Sequence, residues 1–401
     1  MKKVKWATIL LVLAATIFIY QNCAEKKLEL AAQASNIPIP IHEDSEIKIS
    51  AGHAFACLLN HGNAKCFGIN AYGSVGNGTT ANQSIPNQVS GMDSNVTDIS
   101  AGTNVGCAVK SGAVYCWGYI ISGGAFSSSD PITTAPRLIG GLESGVTRVT
   151  TNDYTACAIK AGALYCWGYN AVGQAGIGST SGTATPTLVV GMENGVSNVS
   201  ISHWNGRHAC AIKNGALFCW GENNYFQLGD GTNANRTQPQ PVVAMDANVT
   251  AVSVGTDFTC AIKNKQLYCW GRNGDGRLGV GDFTDRAGPA RVLAFDGKIV
   301  EDVAAGSNHT CALVEKQVYC WGHNGTGAVG DGTTTNAATP IKVVGMEDVS
   351  QISCGGQAIN PGSTSYAIKG NKIFAWGYNA YGQFGNGTTQ SSLAPVESFS
   401  F

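Results

Sequence analysis

The chain of 401 residues has no basic run after its first five positions, and its formal net charge is -1. Nucleic-acid binders carry a clustered basic footprint, so that class is set aside and no nucleic-acid partner is expected. The apolar stretch at 7–20 has 14 residues, short of the roughly 20 that a transmembrane helix requires. Also missing are a Gly-x-Ser-x-Gly elbow, a metal-binding His pair at helical spacing and a phosphate-cradling loop. Asn273, Asp275 and Asp282 lack the alternate-position ligands and closing Glu of a calcium loop. Cysteines nine apart do not match zinc ligand pairs, which stand two to four apart. The chain is therefore expected to be no enzyme and to need no cofactor and no metal.

Cysteine itself is plentiful and regular. Six pairs recur with nine-residue spacing: Cys57/Cys66, Cys107/Cys116, Cys157/Cys166, Cys210/Cys219, Cys260/Cys269 and Cys311/Cys320. Successive pairs start 50, 50, 53, 50 and 51 residues apart, so this is an internal repeat and points to a stacked or closed architecture. A seventh copy, YAIKGNKIFAWG at 366–377, holds Tyr366 and Ala375 at the two cysteine positions. Joint loss is what a covalent pair predicts, whereas independent buried cysteines could be lost one at a time.

Asn214-Gly215 lies midway between Cys210 and Cys219, and Asn-Gly favours a two-residue hairpin turn. Counting outward pairs Lys213 with Ala216, Ile212 with Leu217 and Cys210 with Cys219. The cysteines then occupy a non-hydrogen-bonded pair, where side chains approach closely, and a cross-strand disulfide is expected. Each bridge closes a short loop worth roughly 2.7 kcal/mol by chain entropy. Both hairpin faces are apolar, with Cys210, Ile212, Leu217 and Cys219 on one and Ala211, Phe218 and Trp220 on the other. The sheet should therefore be covered on both sides. A strand such as VTDIS at 96–100 precedes the hairpin and a Pro-containing segment such as PTLVV at 186–190 follows it, giving about four short strands per unit, the content of a propeller blade.

After the second cysteine, WGYNAYGQFGNGT at 376–388, WGENNYFQLGDGT at 220–232 and WGHNGTGAVGDGT at 321–333 resemble the W-G-x-N-x-x-G-Q-L-G-x-G-T signature of the regulator of chromosome condensation repeat family. AGSNHTCAL at 305–313 is similar to the other half of that signature. The resemblance covers residues 38–401 in seven copies. It implies an all-β, seven-bladed β-propeller with four-stranded antiparallel blades, a cross-strand disulfide falling in most of them. The second copy departs, reading YIISGGAFSSSDP after Trp117-Gly118 without the Gly-Gln-Leu-Gly core. IPIPI at 37–41 and APVESFSF at 394–401 both look like the Pro-containing segment, so the two termini are expected to contribute strands to one blade.

Residues 1–22 read as an export signal: Lys2, Lys3 and Lys5, then the apolar run, then Tyr-Gln-Asn before Cys23. Cys23 stands where a bacterial lipoprotein is processed and lipidated, although Gln21 and Asn22 replace the usual small residues. Cleavage after Ala34, or an uncleaved anchor, are the alternatives. Residues 23–36 form a lipid-attached tether, and 37–401 form the propeller. The expected location is a membrane-anchored lipoprotein of the bacterial outer membrane or periplasm, an oxidising setting that suits disulfides. Cys354 is left over and reads as a small buried residue. His309 aligns with Phe55, Val105, Thr155, His208, Phe258 and Thr364, so it reads as packing.

Function is expected where the repeat is broken, since loops on a rigid scaffold are free to vary. The loop before the first cysteine is enlarged at 202–209 and 354–365. Trp204 and Arg207 are of hot-spot types, and Asp153, Tyr154, Asp257 and Phe258 occupy equivalent loops. These six are the candidate binding residues; packing of Trp204 over its own loop is the competing view. Three functions follow: a lipid-anchored scaffold binding an unidentified protein or envelope ligand, guanine-nucleotide exchange implied by the family resemblance alone, and a glycan-acting propeller enzyme, hinted at by Asp153 and Asp257.

Overall fold

A computed structural model of the chain describes residues 47–119, 132–152, 154–202, 207–356 and 362–400. The proposed export signal, Cys23, the tether and the 37–41 segment lie outside the described residues. Within them, 28 strands form seven four-stranded antiparallel sheets. Blade 1 comprises Ile47–Ala51, Phe55–Asn60, Asn63–Gly68 and Gln83–Gln88, hydrogen-bonded in chain order. The innermost strands pack against one another around the ring, that of blade 7, Val349–Gly356, meeting that of blade 1.

The hairpin register follows from the turn count. Lys213 pairs with Ala216, Ile212 with Leu217 and Cys210 with Cys219. Asn214 and Gly215 have φ of 50° and 78°, the left-handed values that a primed two-residue turn demands. The same register sets Cys57 opposite Cys66, Cys107 opposite Cys116, Cys157 opposite Cys166, Cys260 opposite Cys269 and Cys311 opposite Cys320. All six pairs are disulfide-bonded, each across a Cα separation of 4.1 Å, as the close approach of non-hydrogen-bonded partners allows. In blade 7 Tyr366 opposes Ala375.

Each core cluster spans two blades. Cys210, Ile212, Leu217 and Cys219 of blade 4 meet Val249, Val252, Ala261 and Trp270 of blade 5. Opposite faces of successive hairpins thus cover each other, which is why neither alternates with polar residues.

The repeat signature has a physical reading position by position. The asparagine of Trp-Gly-x-Asn, or of Phe-Gly-x-Asn in blade 1, is fully buried in six blades. Asn223 shows its use: Nδ2 donates to the carbonyls of Thr232 and Ala234, and Oδ1 accepts from Leu228 N. One amide thereby satisfies both ends of a long loop. The apolar residue at the ninth place of the phrase, such as Leu228 after Gln227 or Leu278 after Arg277, plugs the inter-blade core. The tryptophan of the next blade donates its indole N–H to the carbonyl just before that plug: Trp270 to Gln227 at 3.0 Å and Trp321 to Arg277 at 2.9 Å. The glycine after the plug makes room for the indole. A Cβ on Gly229 would lie 2.5 Å from Trp270 Nε1.

Inner strands are stitched across blades by hydroxyls. Ser50, Ser100, Ser200, Ser253 and Ser353 accept from the backbone N–H of Ala101, Thr151, Val254, Ala305 and Ala51. Ring closure departs from expectation. Among the described residues, blade 1 and blade 7 are each built of four consecutive strands, the last being Ser392–Ser400, and no strand is shared between them. APVESFSF supplies the fourth strand of blade 7 directly, and an exchanged strand has no vacancy to fill. Ile49 N to Gln351 Oε1 at 3.0 Å, Ala51 N to Ser353 Oγ at 3.0 Å and an edge contact of Phe67 with Phe399 join the ends.

Candidate functional site

Antiparallel strands alternate their turns, so each blade has two loops at one end and the Asn-Gly-type hairpin at the other. The loop after the innermost strand and the loop after Trp-Gly share the first end. They are bonded to each other in every blade, as by Glu222 N to Arg207 O at 2.8 Å and Arg272 N to Asp257 O at 2.9 Å. The residue making this bond, just after Trp-Gly, differs around the ring: Ile69, Tyr119, Tyr169, Glu222, Arg272, His323 and Tyr378, all half-buried. This row is the main finding that loop-length reasoning missed. The available sign was the one unfixed position within the W-G-x-N phrase.

Chemistry on this loop face is divided. Over blades 7, 1, 2 and 3 it is aromatic. Tyr72 and Tyr119 meet edge-on at 5.7 Å, Tyr154 and Tyr169 at 6.1 Å, and Tyr378 and Tyr381 at 6.3 Å. Over blades 4 and 5 it is charged. The Arg272 guanidinium lies 4.6 Å from the Tyr225 ring centroid and pairs with Asp257 at 3.0 Å. Arg277, itself buried, pairs with Asp275 and donates to Asn308 Oδ1 at 2.7 Å. Burial raises the Glu222 carboxyl above its ordinary range, opposed by the nearby Arg207 cation and reinforced by Asp257. Such tyrosines and arginines, anchored by partners, lose little rotamer freedom on contact.

The sequence-predicted residues divide accordingly. Tyr154, Arg207 and Asp257 lie half-buried on this face. Asp153 and Trp204 lie outside the described residues. Phe258 is corrected: it is fully buried, because it opens the second strand and points into the core, near the Arg277 guanidinium. Asp257 is held by Arg272 at 3.0 Å, with the Glu222 carboxyl close enough to feel its charge.

The bridged cysteines are staples of the core and offer no chemistry to this face. Cys57, Cys66, Cys157, Cys166, Cys260 and Cys269 are fully buried. Cys66 packs into the core shared by blades 1 and 2, Cys166 into that of blades 3 and 4, and Cys269 into that of blades 5 and 6. The register explains their position, since each forms the fourth pair from its hairpin turn, in mid-strand, where both sheet faces are covered.

Buried histidines behave as packing groups. His208 Nε2 lies 2.9 Å from Thr259 Oγ1, which itself donates to Gln227 O at 2.9 Å. The hydroxyl proton being spent, Nε2 must donate, and Nδ1 is left bare. Burial accordingly lowers the His208 pKa to about 3. His309 is equally buried and bonds Ser365 Oγ at 2.9 Å. His309, Cys311 and Cys354 place ligand atoms within 4.8 Å of one another. Cys311 is bonded to Cys320, which leaves two donors where a zinc site takes at least three. Cys354 is a buried thiol whose pKa burial pushes up to about 12.

Comparison with known proteins agrees with this geometry. Residues 33–360 match the model of the RCC1-like domain, and residues 371–401 match that of the regulator of chromosome condensation (RCC1) repeat. The ultraviolet-B receptor UVR8 of Arabidopsis thaliana is 28% identical over 195 residues, 47% of this chain and 43% of the receptor. The probable E3 ubiquitin-protein ligase HERC4 of Homo sapiens is 28% identical over 196 residues, 47% of this chain and 18% of the ligase. The chain thus spans less than half the length of these curated relatives. Among solved structures, Prp20p of Saccharomyces cerevisiae, described with its binding to Gsp1p and histones, superposes with a TM-score of 0.71 at 18% identity, covering 89% of each chain. Human WBSCR16 gives 0.67 at 21% identity over 78% of this chain and 86% of its own.

Proposed function

This chain belongs to the RCC1-like family, and on that premise we propose that it is a binding scaffold that captures a protein or envelope ligand on its loop face. One observation carries the reading. Six blades place an aromatic or ionisable side chain just after Trp-Gly, where this loop bonds to its neighbour: Tyr119, Tyr169, Glu222, Arg272, His323 and Tyr378. Chemically varied side chains held in one row on a disulfide-stapled ring suit recognition, and fold maintenance does not require them. The likeness to Prp20p, at 18% identity, extends to the fold, and no described residue argues for nucleotide exchange.

The scaffold is exported and held to a membrane of the cell envelope by a lipid on Cys23. Six disulfides support an oxidising compartment, and the 14-residue apolar run before Cys23 supports export. Ile47 enters blade 1 opposite Asn60, at the hairpin end.

The test is capture from envelope extract with the full chain and with Tyr119→Ala and Arg272→Ala. A partner retained by wild type and lost by either variant is the expected result; unchanged recovery by both removes the loop face as the site. Cys23→Ser should abolish lipid labelling and release the protein from the membrane fraction.

A further inference from the structure

Among the described residues, the bridge of blade 6 alone stands beside a further cysteine. At the equivalent place on the next blade's inner strand, the bridges of blades 1 to 5 have Ala101, Thr151, Ile201, Val254 and Ala305, each identified by its register with the second strand. Beside blade 6 that place holds Cys354, opposite Ser365 and in one core cluster with Cys311 and Cys320. A second departure coincides with it. His309 opens the second strand of blade 6 where blades 1 and 5 have Phe55 and Phe258, and His208, the other histidine at this place, belongs to a blade whose bridge meets Val254.

The ligand atoms of His309, Cys311 and Cys354 lie within 4.8 Å of one another, and Cys320 adjoins them through its bond to Cys311. The hydrogen bonds fix which ring nitrogen is a donor. Ser365 spends its hydroxyl proton on Ala328 O at 2.8 Å, so His309 Nε2, 2.9 Å from Ser365 Oγ, must donate and Nδ1 keeps its lone pair. That edge of the ring looks toward Cys354, since a Cβ on Gly306 would lie 2.7 Å from Nδ1 and 3.3 Å from Cys354 Cβ. An imidazole whose far N–H is anchored is the arrangement that orients a ligating histidine. The closed bridge withholds the other two sulfurs, because the thiolate is the ligand.

We propose that the core between blades 6 and 7 is a redox-gated site for a thiophilic divalent cation such as zinc, held by His309, Cys311, Cys320 and Cys354 once the bridge between Cys311 and Cys320 is opened. A dithiol gives two electrons and two protons to that bond, which parts into two thiols while the dithiol closes to a disulfide. The ion then displaces the protons of three thiols to solvent and takes neutral His309 through Nδ1, completing a tetrahedral set of three sulfurs and one nitrogen. Donors in such a shell stand roughly 3.5–4 Å apart, so three of them need shifts on the order of an ångström. All four are buried, and the ion is taken up as the chain folds or as the unstapled hairpin opens. Because the ion binds the open form and not the closed one, it makes this bridge easier to reduce than the other five.

The full chain is equilibrated with graded dithiothreitol, with free Zn2+ buffered or left out, then quenched in acid and denaturant with a chelator, alkylated and mapped cysteine by cysteine by mass spectrometry. Zinc should raise the reduced-to-bridged ratio of Cys311 and Cys320 at least tenfold and leave the other five pairs within twofold. Cys354→Ala, which copies Ala305, should abolish the effect, and His309→Phe, which copies Phe258, should require at least tenfold more zinc for it. Co2+ added to the reduced chain, or present while it refolds from denaturant, should give one thiolate-to-cobalt charge-transfer band per chain that Cys354→Ala loses. A zinc effect absent at this pair, equal at all six, or retained in Cys354→Ala overturns the proposal. So does a bridge that no dithiol concentration opens in a chain that also shows no cobalt band on refolding. Neither result bears on the loop face as a binding surface.

Discussion

The phenol of Tyr366 donates to the carbonyl of Gln383 at 2.5 Å within blade 7. Gln383 precedes the plug Phe384, so this carbonyl is the one that a tryptophan of the next blade would engage. That next blade is blade 1, which carries Phe67 and has no indole N–H to offer. Tyr366, occupying a position that holds cysteine in the other six blades, supplies the missing donor. Two departures from the repeat, at opposite ends of the chain, therefore compensate each other.

Tyr366→Phe should destabilise the protein by about 1–3 kcal/mol, the cost of leaving a buried acceptor unpaired. Denaturant midpoints of the two proteins measure it. A change within error would mean that the carbonyl finds another donor and the compensation is not needed.

Acid should act through His208. Its folded pKa of about 3 lies below its ordinary 6.5, so between these values the unfolded chain binds the proton and the folded chain does not. The contribution is fully present above pH 6.5 and is lost as pH falls toward 3, at up to about 1.4 kcal/mol per pH unit. His208→Phe, which copies Phe55 and Phe258, should flatten the pH dependence of stability in that window. Parallel wild-type and variant curves from pH 6.5 to 4 would reject this assignment.

The hairpin of blade 6 turns on Glu315 and Lys316, with φ of 50° and 64°, where a side chain costs about 1–2 kcal/mol in the left-handed region. Lys316→Gly should raise stability by about 0.5–1 kcal/mol after the extra unfolded-state entropy of glycine is allowed for. The exposed Lys316–Glu301 pair at 3.3 Å offsets little of this. Gly215→Lys in blade 4 is the converse and should lower the melting temperature; equal shifts of one sign in both variants would contradict the turn assignment.

Denatured but unreduced mature protein should take up one alkylating group, on Cys354, the free cysteine among the described residues, with Cys23 acylated. Mass spectrometry counts the adducts. Uptake at the twelve paired positions, Cys66, Cys166 and Cys269 among them, would remove both the staples and the exported location.

Local features were the legible ones. The register of Cys210 with Cys219 follows from a turn four residues away, and two apolar faces on one hairpin imply cover on both. Closure was not legible, because Ile49 and Gln351 meet across 302 residues of sequence and nothing near either marks the other. The recognition row was missed for a different reason. Arg272 and Tyr169 occupy a position where repeats differ, and variation in a single chain looks the same whether it serves binding or nothing. Phe258 was misplaced because the loop before it ends one residue sooner than its length suggested, which turns its ring inward.

Each described blade is completed by four strands in succession, and the first and last blades meet through contacts such as those of Gln351, Ser353 and Phe399, so no described strand crosses a seam. Cutting the backbone at another seam and linking Ser400 to Ile47 through a short bridge would rotate the starting point without dividing a blade. Circularly permuted forms should consequently assemble the same wheel.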